Sequence, residues 1–338
     1  MNELILEQRY KDTLEKDLKS VIVGNELTLY KMMAYQMGWI DDMGNDISIS
    51  NAQRLHPTLC LMACESLIGD ITKALPIASS LELVHQFSLI HQDVQYGLPE
   101  RNNRSTVWWT WGPAQAINAG DGMHAMARLN ILKQTDVGMP YDQALRAINM
   151  LDRACLSLCE GQYLDLTYQE RVDISEDAYF KMVEAKTASL VSCATGLGAL
   201  MAHSDDVVIE TMIEYGRKVG IALQIREDID DLWKPVDTEM PISGDLLNKK
   251  KSLPIIYALK NASGSDKRSL GDVYFKRVME PEDILKVVAV LDSLGAKEFA
   301  IKKARALIDD ALSDLENNIP QHTGVDGLKS FAKSVITD

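Results

Sequence analysis

Apolar residues recur with helical spacing along most of this chain of 338 residues, and that period limits the folds open to it. Alternation of apolar and polar residues, the pattern typical of β-strands, has no convincing example in the sequence. The segment "EDILKVVAVLDSLGAK" ends at Gly295, a residue type common just beyond a helix C-terminus. Its predicted apolar stripe consists of Ile284, Leu285, Val288 and Leu291. The periodicity therefore predicts an all-α protein.

A longer segment, "ISEDAYFKMVEAKTASLVSCATGLGALMA", combines a helix start with an apolar body. Ser175 is placed to cap the helix, and two acids follow in the first turn, where the helix dipole favours negative charge. Because the rest is apolar nearly all round, we expect a buried helix. The breaks between such segments are short, so the chain is predicted to form roughly a dozen helices in a single domain spanning residues 1–338.

The charge balance argues against several classes of partner. A net charge of −14 and a pI near 4.9 disfavour nucleic acid and anionic membranes, since both attract basic surfaces. No run approaches the ~20 apolar residues of a membrane span, and the charged N-terminal segment differs from a signal peptide. Two pairs of cysteines lie in apolar helical patterns typical of buried free thiols: Cys60 and Cys64, and Cys155 and Cys159. These features favour a cytoplasmic protein.

Acidic residues interrupt the apolar helical segment "GIALQIREDIDDLW". Glu227 and Asp231 lie one turn apart on one helix face, with Asp228 beside them. Neighbouring carboxylates repel each other unless they are solvated or share a cation. Mg²⁺ suits this spacing, because it binds a few carboxylates and completes its shell with water and substrate phosphates. The spacing also fits a solvated helix face. The apolar flanks argue against solvation, so the sequence supports a metal site and a solvated face equally.

Several cations could hold a diphosphate group if they meet in the fold. The candidates are Arg101, Lys186 and the three lysines of "NKKKSLP", residues 249–251. Each of them, taken singly, also fits an ordinary surface position. An acidic protein that binds a polyphosphate must depend on such local cations and on metal ions.

Seven motifs occur in an order that resembles one enzyme family. "NAQRLHPTLC" resembles the family segment GGKRLRP, "ELVHQFSLIHQDV" resembles the run into a first Asp-rich motif, and "RNNRSTVWW" resembles the RRGxPT block. The other four motifs are "GQYLDL", "KTASL", "QIREDIDD" and "KKKSLPIIYAL". Over residues 50–315 the chain therefore resembles the trans-isoprenyl diphosphate synthases, the polyprenyl synthetase family.

The resemblance implies an all-α, single-domain helical bundle of the isoprenoid synthase type, Mg²⁺ as cofactor, an allylic prenyl diphosphate as substrate and a homodimer. It implies catalytic roles for Glu227, Asp228, Asp231, Lys186, Thr187 and Gln224. The implied metal ligands are Glu227, Asp228 and Asp231, together with Asp93 of the first motif. The implied substrate-binding residues are Arg54, His85, Phe87, Gln92, Tyr96, Arg101, Trp109 and Lys250.

The chain departs from the family pattern at its first metal motif and at its isopentenyl diphosphate site. The first DDxxD motif reads Gln92 to Tyr96, so Asp93 is the carboxylate that remains of three. Gln53 stands in place of a lysine and Asn102 in place of the second arginine, whereas Arg54 and His85 are kept. These changes damage the binding of a second diphosphate more than that of the allylic substrate.

Three functions are compatible with this pattern. The departures favour a terpene-synthase-like enzyme that ionises an allylic diphosphate of about fifteen to twenty carbons and cyclises or quenches the cation without isopentenyl diphosphate, with aromatic rings to stabilise it. The retained Arg54 and His85 favour a prenyltransferase, by chain elongation or transfer to another acceptor. The lost metal ligands also fit a non-catalytic subunit that pairs with an active homologue.

Overall fold

The predicted all-α class is confirmed in the computed structural model, which describes residues 3–47, 54–171, 173–203, 205–233, 244–274, 276, 280–319 and 324–337. The helices of its first half are α1 (Glu3–Ile22), α2 (Thr28–Gln36), α3 (Leu55–Ile68), α4 (Leu75–Tyr96), α5 (Val107–Trp111), α6 (Pro113–Lys133) and α7 (Tyr141–Gln169). The others are α8 (Glu176–Val183), α9 (Ser189–Met201), α10 (Asp206–Trp233), α11 (Gly244–Leu247), α12 (Leu253–Asn261), α13 (Gly264–Tyr274), α14 (Pro281–Ser293), α15 (Ala296–Asn318) and α16 (Asp326–Val335). A 3-10 turn covers Gln134–Val137, and a π-helical turn, Glu184–Ala188, joins α8 to α9.

A short antiparallel hairpin follows α4 and carries one of the predicted site residues. Its strands are β1 (Glu100–Arg101) and β2 (Arg104–Ser105), and Arg101 pairs with Arg104. The two turn residues, Asn102 and Asn103, both have positive φ values of 51° and 59°. Two positive φ values in a two-residue loop are typical of a type I′ turn, and asparagine tolerates this conformation better than most residues. The asparagine in place of the family's second arginine therefore has a backbone role here.

The predicted helix ends agree with the structure, and one predicted core position is wrong. The backbone N–H of Ala178 donates to Oγ of Ser175 at 3.1 Å, which confirms the N-cap of α8. Gly295 has a φ of 66° two residues after the end of α14. Leu285 is 52% exposed, whereas Val287 is buried. The buried face of α14 therefore follows residues three and four apart from Ile284, and Leu285 falls outside it.

The chain divides into two compact units, which contain different parts of the predicted site. The first unit consists of Met1–Cys155, Cys193–Ile213 and Asn318–Ser330. The second consists of Leu156–Ser192, Glu214–Asn317 and Phe331–Asp338. The organisation of residues 1–338 as a single domain stays a prediction.

The cysteines agree with the prediction of free thiols, with one exception in burial. Cys60, Cys64, Cys155 and Cys193 are buried, whereas Cys159 is exposed, so the prediction was wrong for Cys159. Burial raises the pKa of the Cys64 thiol to about 12, which keeps it protonated and unreactive. In the described part of the chain, no helix has both the length and the apolar content that crossing a bilayer requires.

Candidate active site

Asp228 of α10 is the best-organised group of the predicted site and lies in the second unit. Its side chain is 5% exposed. The hydroxyl of Tyr179 donates to its Oδ2 at 2.6 Å, and the backbone N–H of Leu253 donates to the same oxygen at 3.0 Å. The side-chain amide of Gln224 donates to Oδ1 at 3.1 Å. Three donors thus hold a buried carboxylate in one orientation.

The hydrogen bonds extend from Asp228 to the predicted residues of the π-helical turn. The Thr187 hydroxyl donates to Oε1 of Gln224 at 2.6 Å, which fixes the direction of that amide. Beside it, Nζ of Lys186 donates to Oδ2 of Asp165, a buried carboxylate of α7, at 2.6 Å. The structure therefore brings Lys186, Thr187, Gln224 and Asp228 together in a second-motif cluster, as their predicted common role requires.

Gly161 of the "GQYLDL" motif allows this approach of the backbone. A Cβ atom at this position would lie 2.2 Å from the backbone nitrogen of Lys186. No side chain fits at that distance, so α7 can pack against the π-helical turn because residue 161 is glycine. The turn carries Lys186 and Thr187 at its centre. Wider turns of this kind occur frequently at functional sites.

The second-motif cluster has a donor set that fits Mg²⁺. Glu227 is exposed and Asp231 is half-buried, one turn apart on α10 beside Asp228. Within the described residues, no three His, Cys, Asp or Glu side chains are already gathered as a metal site. Mg²⁺ does not require such a cage, because it binds through one or two carboxylates together with water and substrate phosphates. The residues that would hold it are Glu227, Asp228 and Asp231.

The three lysines before α12 differ in their surroundings. Nζ of Lys249 donates to the backbone carbonyls of Tyr274 and Lys276, and Nζ of Lys251 donates to the carbonyl of Lys249 at 2.6 Å. Burial and, to a smaller extent, the charge of Lys249 together lower the pKa of Lys251 to about 8. Lys250, the lysine predicted to bind diphosphate, is half-buried between these two.

In the first unit, Asp93 of α4 forms an ion pair with Arg101 of the hairpin. Nε of Arg101 donates to Oδ1 of Asp93 at 2.8 Å, and its NH2 nitrogen lies 2.7 Å from the same oxygen. That nitrogen also donates to Oε1 of Gln92 at 2.9 Å. Asp93 is 2% exposed, and burial raises the pKa of its carboxyl group while Arg101 lowers it. These three residues form the first-motif cluster.

The first-motif cluster does not fit Mg²⁺. Its one remaining carboxylate is buried and is already balanced by the guanidinium of Arg101. Gln92 offers a neutral oxygen, and that oxygen also accepts a hydrogen bond from Arg101. A divalent cation at this place would have to displace Arg101 and would gain a single negative charge. The role of Asp93 as a metal ligand therefore has no support in the geometry.

Arg54, which the resemblance assigns to the isopentenyl diphosphate site, is 5% exposed, and each of its three side-chain nitrogens donates a hydrogen bond. Its Nε donates to Glu15 at 2.9 Å and its NH1 nitrogen donates to Glu82 at 2.8 Å. Its NH2 nitrogen donates to the backbone carbonyl of Met37 at 2.8 Å. Arg54 thus connects α1, the end of α2 and α4, and its predicted contact with substrate stays a prediction.

Two histidines lie beside this network and are uncharged at neutral pH. The rings of His56 and His85 are 4.5 Å apart. Burial, together with the positive charges of Arg54 and Arg101, lowers the pKa of His85 to about 4. Burial also lowers the pKa of His56 to about 3. His85 can therefore donate or accept one hydrogen bond at each ring nitrogen and contributes no charge to a diphosphate site.

The predicted aromatic residues lie in different surroundings. Phe87 is buried, with its ring 4.7 Å from the rings of both His91 and His124. Tyr96 is half-buried at the end of α4, whereas Trp109 is 60% exposed. Of these residues, Phe87 alone is buried and packed against other rings.

Sequence reasoning missed three groups that build the second-motif cluster. Tyr179 lies seven residues before Lys186, which places both on one helix face, and this spacing could have indicated it. Asp165 lies within the quoted "GQYLDL" motif. The backbone N–H of Leu253 has no signal in the sequence. The sequence also predicts a mobile lid over residues 234–249, which contain Pro and Gly and link the second acidic motif to Lys250. Gln53 and most of this segment lie outside the described residues.

Comparison with known proteins identifies the lineage. Residues 37–291 match the family described as polyprenyl synthetase, close to the predicted range of 50–315. The chain is 32% identical over 292 residues to a geranylgeranyl diphosphate synthase from Mycobacterium tuberculosis, covering 86% of this chain and 82% of that protein. It is 33% identical over 279 residues to a (2E,6E)-farnesyl diphosphate synthase from Mycobacterium bovis, covering 81% of this chain and 76% of that protein. A polyprenyl synthetase from Streptomyces coelicolor superposes with a TM-score of 0.90 at 28% identity, covering 99% of this chain and 100% of that one. The chain is therefore a member of the polyprenyl synthetase family.

Proposed function

We propose that this enzyme transfers the prenyl group of an allylic prenyl diphosphate to isopentenyl diphosphate or a related acceptor. The observation that carries the proposal is the second-motif cluster, in which three donors hold the buried carboxylate of Asp228 in place. Organisation of this kind is costly to keep without a ligand to organise. The similar proteins named as geranylgeranyl, farnesyl and geranylfarnesyl diphosphate synthases support elongation as the reaction.

The side chains of the second-motif cluster suggest a division of work. Magnesium, when bound there, would neutralise the charge that develops on a departing diphosphate. Glu227 and Asp231 present accessible carboxylates, and Asp228 is held by Tyr179, whose hydroxyl donates to it. Lys186 supplies a positive charge near this face, and its pair with Asp165 keeps the ammonium group directed. We propose a chain of about fifteen to twenty carbons, limited by the enclosed ring of Phe87.

A second function, ionisation of an allylic diphosphate without an acceptor, is favoured by observations in the first unit. Each side-chain nitrogen of Arg54 donates to a partner within the protein, and Gln53 and Asn102 replace two cations of the family's isopentenyl diphosphate site. The groups that would hold a second diphosphate are thus either lost or engaged elsewhere. This arrangement supports a terpene-synthase-like reaction in which one prenyl diphosphate reacts alone.

The deciding experiment supplies purified enzyme and Mg²⁺ with geranyl, farnesyl or geranylgeranyl diphosphate, each with and without isopentenyl diphosphate. Prenyl transfer predicts longer linear diphosphates only when the acceptor is present. Hydrocarbons or alcohols from an allylic diphosphate alone would instead establish the second function. Asp228→Asn should abolish either activity, while Asp310→Asn, at an exposed position of α15, should retain it. Absence of turnover until a homologous subunit is added would replace both with a non-catalytic role.

We also propose a homodimer, on the basis of an apolar surface in the first unit. Leu129 and Leu132 of α6, Val137, and Tyr141 and Leu145 of α7 are all exposed large hydrophobic residues. Arg128 and Asp152 pair at 2.5 Å, so the helices that carry them, α6 and α7, are neighbours. Large hydrophobic residues exposed on neighbouring helices favour an association surface. Analytical ultracentrifugation should show a dimer, and Leu129→Glu with Leu145→Glu should convert it to monomer.

A further inference from the structure

A cavity of about 190 Å³ lies in the second unit, on the side of α10 away from Asp228. Residues of α10, α15 and α16 line it. Asp230 faces this cavity. It lies two positions after Asp228, which corresponds to a rotation of about 200° around the helix axis. The Asp228 carboxylate and this cavity therefore lie on different faces of one helix, and a ligand in the cavity would not touch the second-motif cluster.

The walls of the cavity are apolar at the base. Ile229, Ala304 and Val335 are each less than 9% exposed and close its floor. The ring of Trp233 forms one side and is fixed by its indole N–H, which donates to Asp292 at 2.8 Å. Covering this apolar floor with a hydrocarbon chain would remove apolar surface from water, which favours binding.

The rim of the cavity is positive, which is unusual in a protein with a net charge of −14. Among the described residues that line it, Arg226, Lys297 and Arg305 stand against one carboxylate, that of Asp230. Asp230 is already paired with Nε of Arg226 at 2.7 Å. Among these described residues the charges of Lys297 and Arg305 are therefore in excess, and Nζ of Lys297 lies 5.7 Å from the centre of the Trp233 ring.

We propose that this cavity is a second binding site for a short prenyl chain with a phosphate or diphosphate head, separate from the catalytic centre. The head group would lie between Lys297 and Arg305, since guanidinium and ammonium groups bind phosphate oxygens strongly. The chain would cover the apolar floor. The volume exceeds the ~150 Å³ that holds a benzene molecule, so a chain of about five to ten carbons fits. The choice of prenyl diphosphates rests on the proposed function, which makes them the amphiphilic anions that this enzyme meets.

The test measures binding of geranyl diphosphate by isothermal titration calorimetry with EDTA present, so that no turnover occurs. The double variant Lys297→Gln with Arg305→Gln should weaken this binding at least tenfold. The matched control, Lys260→Gln with Lys267→Gln, removes two charges from exposed positions of α12 and α13 and should leave it within twofold. Lys186→Gln, in the second-motif cluster, should not alter this binding event. Equal affinity in the wild type and the first double variant would overturn the proposal, as would dependence on Lys186 alone.

The chemistry of the ligand is tested by three further probes. Inorganic diphosphate and geraniol should each bind at least tenfold more weakly than geranyl diphosphate, because each lacks half of the recognised structure. Decanoate has the same number of carbons as the geranyl group and a carboxylate head, and tighter binding of decanoate would overturn the assignment of the phosphate head. Because these measurements need no catalysis, they decide the proposal even if the enzyme forms no prenyl product.

Discussion

Removing the Tyr179 hydroxyl should weaken metal-dependent catalysis while leaving the fold intact. The Tyr179→Phe substitution keeps a ring that is 1% exposed and deletes the 2.6 Å donor to Asp228. A hydrogen bond to a charged, buried acceptor contributes about 1.5–3 kcal/mol, so the free energy of unfolding should fall by about that amount. For a chain of this length the corresponding fall in Tm is about 2–4 °C.

The larger effect is expected on magnesium. Groups that orient a metal ligand typically change metal affinity about 10- to 100-fold when removed, so the Mg²⁺ concentration for half-maximal turnover should rise within that range. The assay follows diphosphate release at saturating allylic substrate across a magnesium titration. Tyr274→Phe is the matched control, because Tyr274 is also buried and its hydroxyl has no hydrogen-bond partner among the described residues.

Two results would refute this reasoning. An unchanged magnesium requirement in Tyr179→Phe, with the expected loss of stability, would show that Asp228 is not part of the metal site. An equal change in Tyr274→Phe would show that buried tyrosines in general, and not the bond to Asp228, affect the requirement.

Three further predictions concern other parts of the chain. Lys251 has a folded-state pKa of about 8, below its ordinary value of 10.5. Between these two pH values the unfolded chain holds more protons than the folded one, so the free energy of unfolding should rise with pH. Lys251→Met should remove about 1–2 kcal/mol of that rise, measured by thermal melting at a series of pH values. Gly161→Ala should destabilise by about 1–3 kcal/mol in urea unfolding, because its Cβ would meet backbone at 2.2 Å, whereas Gly271→Ala, in open space within α13, should stabilise by about 0.5–1 kcal/mol. Gln92→Asp with Tyr96→Asp should lower the magnesium requirement, because it places two carboxylates one turn apart on α4, and an unchanged magnesium titration would contradict the alignment of the first motif.

Local signals in the sequence were sufficient for the all-α class and for two helix ends, although the described part of the chain has sixteen α-helices where roughly a dozen were predicted. Ser175 and Gly295 mark helix ends through their own backbone and side-chain chemistry, so each could be assigned without knowing its neighbours. The prediction that Leu285 is buried was wrong, because an apolar stripe does not fix which side of the helix faces the core to within one residue. Packing against the other helices settles that rotation, and packing depends on residues distant in the sequence.

The candidate site shows the same division between local and distant causes. Helical spacing placed the carboxylates of α10 on one face, and the motif order indicated Lys186 and Gln224. The pairing of Arg101 with Asp93 required knowledge of the hairpin that turns the chain back towards α4. The burial of Arg54 depends on Glu15, 39 residues away, which no motif indicates. Contacts that form between segments therefore decided which predicted residues are available to a substrate.

The charge balance of Asp93 depends on the length of the two-residue turn between β1 and β2. The type I′ turn at Asn102 and Asn103 fixes the register in which Arg101 leaves the sheet, and side chains alternate between faces along a strand. An insertion of one residue in this turn would shift that register and carry the guanidinium away from the carboxylate. A resident arginine and an exchangeable cation are thus alternative counter-ions for the same oxygen atoms. Lineages or engineered variants that lengthen the loop could recover an ion-binding position without altering any residue of α4.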